Sequence, residues 1–310
     1  MSKILVTGGA GFIGSNLVDE LIKQGNEVVI IDDLSSGKQE FVNEKSKFYN
    51  LDICNFSEVE KVFANEKFNY VFHLAAQIDV RKSVEMPEFD NQVNAIGSLN
   101  IFKLSQKYKV KKVVFISTGG ALYGDVKKPA TEKTLIQPVS PYAIHKYTAE
   151  RYLELLNETG KLKYTVLRLA NVYGPRQYKG GEGAVVAVFT YNGLHDQEST
   201  INGDGLQTRD YVYVGDIVEA CIAALDSKKN NVFNIGSSIE STVLDTVTAI
   251  NKALGKQIKV VHGPAKPGEV RKSVLNSAKA LKKLNWSAKV NLEEGIKKTI
   301  AWVNSLNDGK

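Results

Sequence analysis

A tyrosine and a lysine four residues apart in SPYAIHK, Tyr142 and Lys146, are the pair in this 310-residue chain best suited to moving a proton. On a helix, residues spaced by four share a face, so the ammonium lies beside the phenol and can lower its pKa. A free phenol titrates near 10 and is a poor base at neutral pH, whereas a phenolate held by a neighbouring cation can take a proton from an alcohol. The same spacing arises by chance on exposed helix faces, and taken alone it is better read that way.

A second stretch supplies context. TGGAGFIG, Thr7 to Gly14, follows the apolar run KILVT and opens a helical pattern. Gly8, Gly9 and Gly11 allow a tight turn and close approach of backbone to a pyrophosphate, and Gly14 lets the helix pack on the strand. The helix N-terminus offers free N–H groups to the phosphate charge. Asp32 ends the next apolar run, about 20 residues on, where a carboxylate can accept hydrogen bonds from both ribose hydroxyls of an adenosine. It would repel a 2′-phosphate, so NAD is preferred over NADP. Asp52 in NLDI could cap the adenine, or equally the helix that follows. A nicotinamide cation would join Lys146 in favouring the Tyr142 phenolate, and the alcohol is then read as a sugar hydroxyl.

These groups need a scaffold, and the hydrophobic pattern gives one. Apolar strands at Lys3–Thr7, Glu27–Ile31, Tyr70–His73, Lys112–Ser117 and Tyr164–Leu169 alternate with segments of helical length, such as the one carrying Leu17, Val18, Leu21 and Ile22. The alternation predicts an α/β fold, a Rossmann doubly wound parallel sheet. After about Asn171 the rhythm loosens into glycine-rich loops, a GDG turn at Gly203 to Gly205 and shorter elements, which predicts a smaller C-terminal α/β substrate lobe. The expected division is residues 1–170 as an NAD-binding domain to which later segments return, and 171–310 mainly as the substrate lobe.

The formal charge of +6 comes from scattered lysines, a solvated surface that mildly favours anionic ligands and carries no nucleic-acid footprint. No apolar run is long enough to cross a bilayer. The two cysteines, Cys54 and Cys221, stand far apart and no charged-then-apolar leader precedes the first strand, which predicts a reducing, cytoplasmic setting.

TGGAGFIGS, DDLSSG, HLAA, NAIGSLN, STGGALYG, YAIHK, RLANVYGP, GDGLQTRDYVYVGD and PGEVRKS follow one another in this order. With them the chain resembles, over essentially its whole length, the extended short-chain dehydrogenase/reductase family, and within it the NAD-dependent nucleotide-sugar epimerases of the UDP-glucose 4-epimerase type. The resemblance implies tightly held NAD, a UDP-sugar substrate, a homodimer built by helix pairing, and interconversion of UDP-glucose and UDP-galactose through a transient 4-keto sugar with hydride return. It implies cofactor contacts from Gly8, Gly11, Phe12, Ile13 and Gly14, from Asp32, Asp33, Ser36 and Gly37, from Asp52 and Ile53, and from Leu74, Ala75, Ala76 and Gln77, with Tyr142 and Lys146 catalytic. On the substrate side it implies Asn171 and Arg209 on the diphosphate, Lys266 where the family often has arginine, Glu269 on the uridine ribose, and Ser273 as a small residue that leaves room for an N-acetyl group. Arg209 could instead pair with Asp210, and Glu269 could sit solvated.

Departures from the family pattern are also informative. Gly119 stands where a catalytic serine or threonine is usual; Thr118 is the favoured replacement, a water in the vacated space is the alternative, and Ser117 is expected to bond to backbone or cofactor. Gln77 occupies the region where some members carry a lysine. His73 is expected in the core, Asn94 tying loops together, and Tyr123 and Tyr173 in packing. Related 4,6-dehydratases carry Thr-Asp-Glu where Gly119, Gly120 and Ala121 stand, so elimination of water lacks its acid and base. Epimerisation of an N-acetylhexosamine or glucuronate, a dehydratase or decarboxylase, and a non-catalytic NAD-binding scaffold or sensor are the alternative readings.

Overall fold

The structure, a computed structural model, describes residues 1–177, 184–265 and 270–307. Its strands are β1 (Lys3–Thr7), β2 (Glu27–Asp32), β3 (Lys47–Asn50), β4 (Tyr70–His73), β5 (Lys112–Thr118), β6 (Tyr164–Leu169), β7 (Asn171–Tyr173), β8 (Ser199–Asn202), β9 (Thr208–Tyr213), β10 (Asn231–Ile235), β11 (Glu240–Thr242), β12 (Val260–Gly263) and β13 (Lys272–Ser273). The helices are α1 (Phe12–Lys23), α2 (Phe56–Glu66), α3 (Val80–Glu85), α4 (Pro87–Asn91), α5 (Ser98–Lys107), α6 (Pro141–Gly160), α7 (Val185–Leu194), α8 (Val214–Leu225), α9 (Val243–Leu254), α10 (Ala278–Leu284) and α11 (Leu292–Asn307). A π-helical turn, Gln92–Gly97, joins α4 to α5.

Seven strands form one sheet in the order β10-β6-β5-β4-β1-β2-β3. It is the expected doubly wound Rossmann arrangement, and the chain order reverses direction at β1, between β2 and β4. Ile4–Val6, Val28–Ile31 and Val113–Ile116 are buried without polar alternation, as strands covered on both faces require. The expected strands are all present, and β3 and β10 extend the sheet at its two edges.

By internal contacts the chain divides into two units. The first comprises Met1–Thr118, Ser140–Arg168 and Val218–Phe233. Its core packs Phe63, Phe102 and Phe115 with aliphatic side chains of the sheet and of α2, α5 and α6. The second comprises Gly119–Val139, Leu169–Ile217 and Asn234–Lys310. One of its clusters gathers Tyr173, Phe189, Ile201, Val247, Ile250 and Ile296, and a smaller one joins Tyr123, Val126 and Ala130 to Val274 and Leu275. Here β7 pairs β9 in parallel, β11 runs antiparallel to β9, and β13 lies parallel on its other side. Among the described residues no helix is long and apolar enough to cross a membrane.

Candidate active site

The turn after β1 is built by glycines that no other residue could replace. Gly8 has φ +71°, and a Cβ there would lie 2.7 Å from the Ala75 nitrogen, while a Cβ on Gly14 would collide with the Gly8 carbonyl oxygen. Gly11 caps α1 with no side-chain hydrogen bond, so the first N–H groups of that helix, from Phe12 and Ile13 onward, are left to a ligand. Asp32, at the end of β2, is buried; Oδ2 accepts from the Ala10 N–H (3.0 Å) and Oδ1 from the Leu34 N–H (2.9 Å). Burial raises its pKa, and the two backbone bonds oppose that rise. A carboxylate oxygen keeps a lone pair after one such bond, so both oxygens can still receive ribose hydroxyls. Gly37 keeps the space beside Oδ1 clear, since a Cβ there would stand 2.8 Å away. A glycine cradle beside an uncapped helix start and an acceptor-only carboxylate fit NAD.

The remaining cofactor candidates lie in the same unit. Asp33 is exposed and closes its own turn by accepting from the Ser35 N–H and Oγ (2.9 and 2.6 Å); Ser36 is exposed. Asp52 accepts from the Cys54 N–H (2.8 Å), while the helix that follows is capped by Asn55, so the helix-capping alternative for Asp52 falls away. Ile53 is a core side chain against Gly97. Leu74, Ala75 and Ala76 continue β4, with the Leu74 N–H bound to Thr7 O and the Ala75 N–H to Thr7 Oγ1. His73 is fully buried between Thr7 Oγ1 (2.7 Å) and Ser98 Oγ (2.9 Å), a core histidine held neutral by burial.

Ser140 and Pro141 begin α6: the serine Oγ accepts from the Ala143 N–H, and proline occupies the first turn where its missing N–H costs nothing. Tyr142 and Lys146 follow one turn apart. Lys146 is 2 % exposed and its Nζ lies 4.3 Å from the centroid of the Phe115 ring. Burial drives the ammonium down to about 7, against the opposing pull of Glu150 and Asp90. Burial also pushes the Tyr142 phenol above its ordinary 10, with the charge of Asp90 adding to the rise. Both influences run opposite to the lowering expected of Lys146.

Behind the pair, Glu150 binds Arg168 through both of its oxygens (Nη2 to Oε2, 2.6 Å; Nε to Oε1, 3.0 Å). Ser117 Oγ donates to the same Glu150 at 2.5 Å. That corrects its expected partner, a backbone group or cofactor, and leaves Ser117 committed. Thr118, the last residue of β5, is half-buried where Ser117 is buried. Glu150 and Arg168 had one signal in the sequence, the spacing of Glu150 four residues beyond Lys146.

In the second unit the substrate candidates gather on the sheet around β9. Asn171 is the register partner of Tyr211 and Ser273 that of Arg209. A Cβ on Gly120 would lie 3.5 Å from Asn171 Oδ1 and 3.8 Å from Ser273 Oγ. Arg209 Nη1 donates to the carbonyls of Thr208 and Val270, both at 2.8 Å. Asp210 is buried and accepts from Ser237 N and Oγ, Ser238 N and Leu275 N. Tyr123 and Tyr173 are core residues. Lys266 and Glu269 lie outside the described residues.

The sequence matches the NAD dependent epimerase/dehydratase family over residues 4–236. A putative UDP-glucose 4-epimerase of Methanocaldococcus jannaschii is 41% identical over 305 residues, covering 98% of this chain and 99% of the relative. The crystal structure of the Thermotoga maritima UDP-glucose 4-epimerase with UDP-glucose superposes with a TM-score of 0.96 at 48% identity, covering 98% of this chain and 99% of the other. The Thermus thermophilus UDP-glucose 4-epimerase, solved with NAD, gives 0.93 at 40% identity, covering 97% and 99%.

The buried lysine has a consequence for stability. Below about pH 7 Lys146 is charged in both folded and unfolded chains, and folding must bury the charge. Between about 7 and 10.5 the unfolded chain binds more protons than the folded one, so stability gains as pH rises. Lys146→Met is therefore expected to be more stable than the parent, by the widest margin at or below pH 7, with the margin closing towards 10.5. Denaturant titrations of both proteins across that range check this; a margin independent of pH would show that the ammonium is not buried.

Proposed function

The chain belongs to the NAD dependent epimerase/dehydratase family, and we propose that it is an NAD-dependent isomerase interconverting UDP-glucose and UDP-galactose at sugar carbon 4. The observation that carries the reading is half-buried Tyr142 and buried Lys146, one helical turn apart in the unit that holds the glycine cradle and Asp32. When bound, NAD supplies a reversible two-electron acceptor for the hydrogen on carbon 4. The cradle from Gly8 to Gly14 would hold its pyrophosphate and Asp32 its adenosine ribose, with Asp33, Ser36, Gly37, Asp52 and Ile53 on the adenosine half and Leu74–Gln77, Tyr142 and Lys146 on the nicotinamide half.

Tyr142 Oη takes the proton of the carbon-4 hydroxyl and returns it after the ketone has turned over. In the protein alone the phenol holds its proton and Lys146 titrates near neutrality at about 7, so Tyr142 becomes a base only where further positive charge favours the phenolate. Lys146 supplies part of that charge in its protonated form. Thr118 contributes the hydroxyl that Gly119 lacks, since Ser117 is already committed to Glu150. Arg209 and Asn171 hold the diphosphate, the part of the substrate that must stay fixed while the sugar turns. Lys266 and Glu269 are assigned to the diphosphate and uridine ribose on sequence alone.

Ser273 favours a wider sugar range. It is small, buried and beside Gly120 and Asn171, so it leaves room at the sugar for an N-acetyl group. Elimination chemistry gains no support, because Gly119, Gly120 and Ala121 offer neither acid nor base. The chain is also read as a homodimer: Leu155 of α6 is 52% exposed and, with Leu99, Tyr152 and Leu156, lines an open apolar groove on α5 and α6 suited to helix pairing. A cytoplasmic place in galactose metabolism accords with two free cysteines.

Purified protein incubated with UDP-glucose is expected to form UDP-galactose with no added reductant. Tyr142→Phe should abolish this, a loss of about 10²-fold or more for one general base, while UDP still binds. Near-normal turnover by the variant would identify a different base. Thr118→Val, nearly isosteric, is expected to lower turnover at least about tenfold, the scale of a lost transition-state hydrogen bond, with Gly119→Ser rescuing part of it in the double variant. A fully active Thr118→Val removes Thr118 from catalysis. Ser273→Tyr is expected to reduce turnover of UDP-N-acetylglucosamine more than that of UDP-glucose; equal losses would refute its gating role.

A further inference from the structure

Asp90, wholly buried on α4, is a carboxylate that the proton-transfer chemistry above does not use. Three side chains donate to it. His145 Nδ1 lies 2.6 Å from Oδ1, and Gln77 Nε2 (2.7 Å) and Asn94 Nδ2 (3.0 Å) reach Oδ2. Because a carboxylate only accepts, the bond places a proton on His145 Nδ1. His145 stands in α6 between Tyr142 and Lys146.

The other end of the cluster is the segment after β4. Gln77 Nε2 also donates to Asp79 O (2.8 Å), its Oε1 accepts from the Asp79 N–H (2.6 Å), and its backbone N–H and carbonyl are both held by the Asn94 amide (3.1 and 2.8 Å). Gln77 is thus held by the protein through both amide atoms and both backbone groups, and its side chain ties the Leu74–Gln77 segment to Asp90. Asn94 reaches both because the π-helical turn Gln92–Gly97 interrupts the regular helix directly after α4.

We propose that Asp90 and His145 are positioning residues that clamp the Tyr142–Lys146 turn of α6 to the Leu74–Gln77 segment and set the balance of charge between phenol and ammonium. The proposal rests on the epimerase reading for its kinetic consequences and on the geometry alone for the rest. A buried charge acts strongly on its surroundings. Glu150 is tied to Arg168 through both oxygens, whereas two of the three donors to Asp90 are neutral amides. The titratable groups around the pair are Asp90 from α4 and Glu150 from α6, whose charges bear on it, and neutral His73 from β4, with His145 facing Asp90. The Asp90 charge disfavours the Tyr142 phenolate and favours the Lys146 ammonium, so it raises both pKa values.

Removing that charge gives a signed result. In Asp90→Asn both limbs of the bell-shaped pH dependence of kcat/KM are expected to slide to lower pH by roughly half a unit or more, the rising limb with Tyr142 and the falling limb with Lys146. A purely structural lesion would lower the bell without moving it. Carbon-13 NMR of the Lys146 ε-carbon, assigned against Lys146→Met and recorded without substrate, should show the same downward move. That readout stands even if the protein epimerises no UDP-sugar, so the two readings fail separately. Unmoved limbs together with an unmoved Lys146 titration overturn the proposal. Should Asp90→Asn not fold, His145 decides: His145→Leu is expected to lower kcat about tenfold at little-changed KM, and His145→Asn, whose Nδ2 takes the place of Nδ1, to restore most of it. Full activity in His145→Leu, or no rescue by His145→Asn, overturns it.

Discussion

The burial of the Lys146 ammonium is the constraint around which the first unit is arranged. A cation taken from water without a committed carboxylate gives up its proton readily, and a phenol beside it in the same dry setting keeps its own. The face of the Phe115 ring offers the ammonium only a quadrupole, worth less than an ion pair. Both groups are thereby poised rather than charged, and positive charge arriving in the site has a larger effect on them than it would in water. The parallel sheet makes such delivery possible. Thr7 pairs with His73, and His73 with Phe115, so β1, β4 and β5 end at one level and the glycine turn, the Leu74–Gln77 segment and Ser117–Thr118 emerge at the same carboxyl edge.

What keeps Lys146 poised is the diversion of its nearest carboxylate on α6. Glu150, one turn along, could neutralise it outright. Instead Arg168 from β6 takes both Glu150 oxygens and Ser117 from β5 adds a third donor, a geometry in which a planar guanidinium outcompetes a point charge. This buried triad has a cost of desolvation that a pair of apolar residues would not, and its retention makes sense as a device for holding Ser117 and Glu150 away from the proton-transfer chemistry.

Legibility in the sequence follows the range of the interactions. The strands, the glycine turn, Asp32 and the Tyr142–Lys146 spacing depend on neighbours within one element or one turn, and each can be read from periodicity or spacing. His145 and Asp90 are separated by 55 positions and meet only because α4 packs beside α6, which no local pattern announces. The same holds for Ser117, Glu150 and Arg168, which arrive from three elements. The direction of the Tyr142 shift escapes a reading of spacing for a related reason: proximity of a lysine is visible in an interval of four, but depth of burial is a property of the assembled core. Gly119–Val139, which leaves the first unit and joins the second, carries no compositional break where it does so.

The second unit shows how a short strand settles a choice that residue types leave open. Arg209 beside Asp210 reads equally as a ligand for phosphate or as half of a local ion pair. In β9, however, successive side chains point to opposite faces. Asp210 turns inward and is consumed by the Ser237, Ser238 and Leu275 N–H groups and the Ser237 hydroxyl, while Arg209 lies on the other face with its register partner Ser273. Cross-strand partners share a face, and Asn171 stands opposite Tyr211, two residues from Arg209, so Asn171, Arg209 and Ser273 come to one side of the sheet from three distant stretches of chain. The Arg209 guanidinium is braced through Nη1 by the carbonyls of Thr208 and Val270, which fixes its orientation on that face.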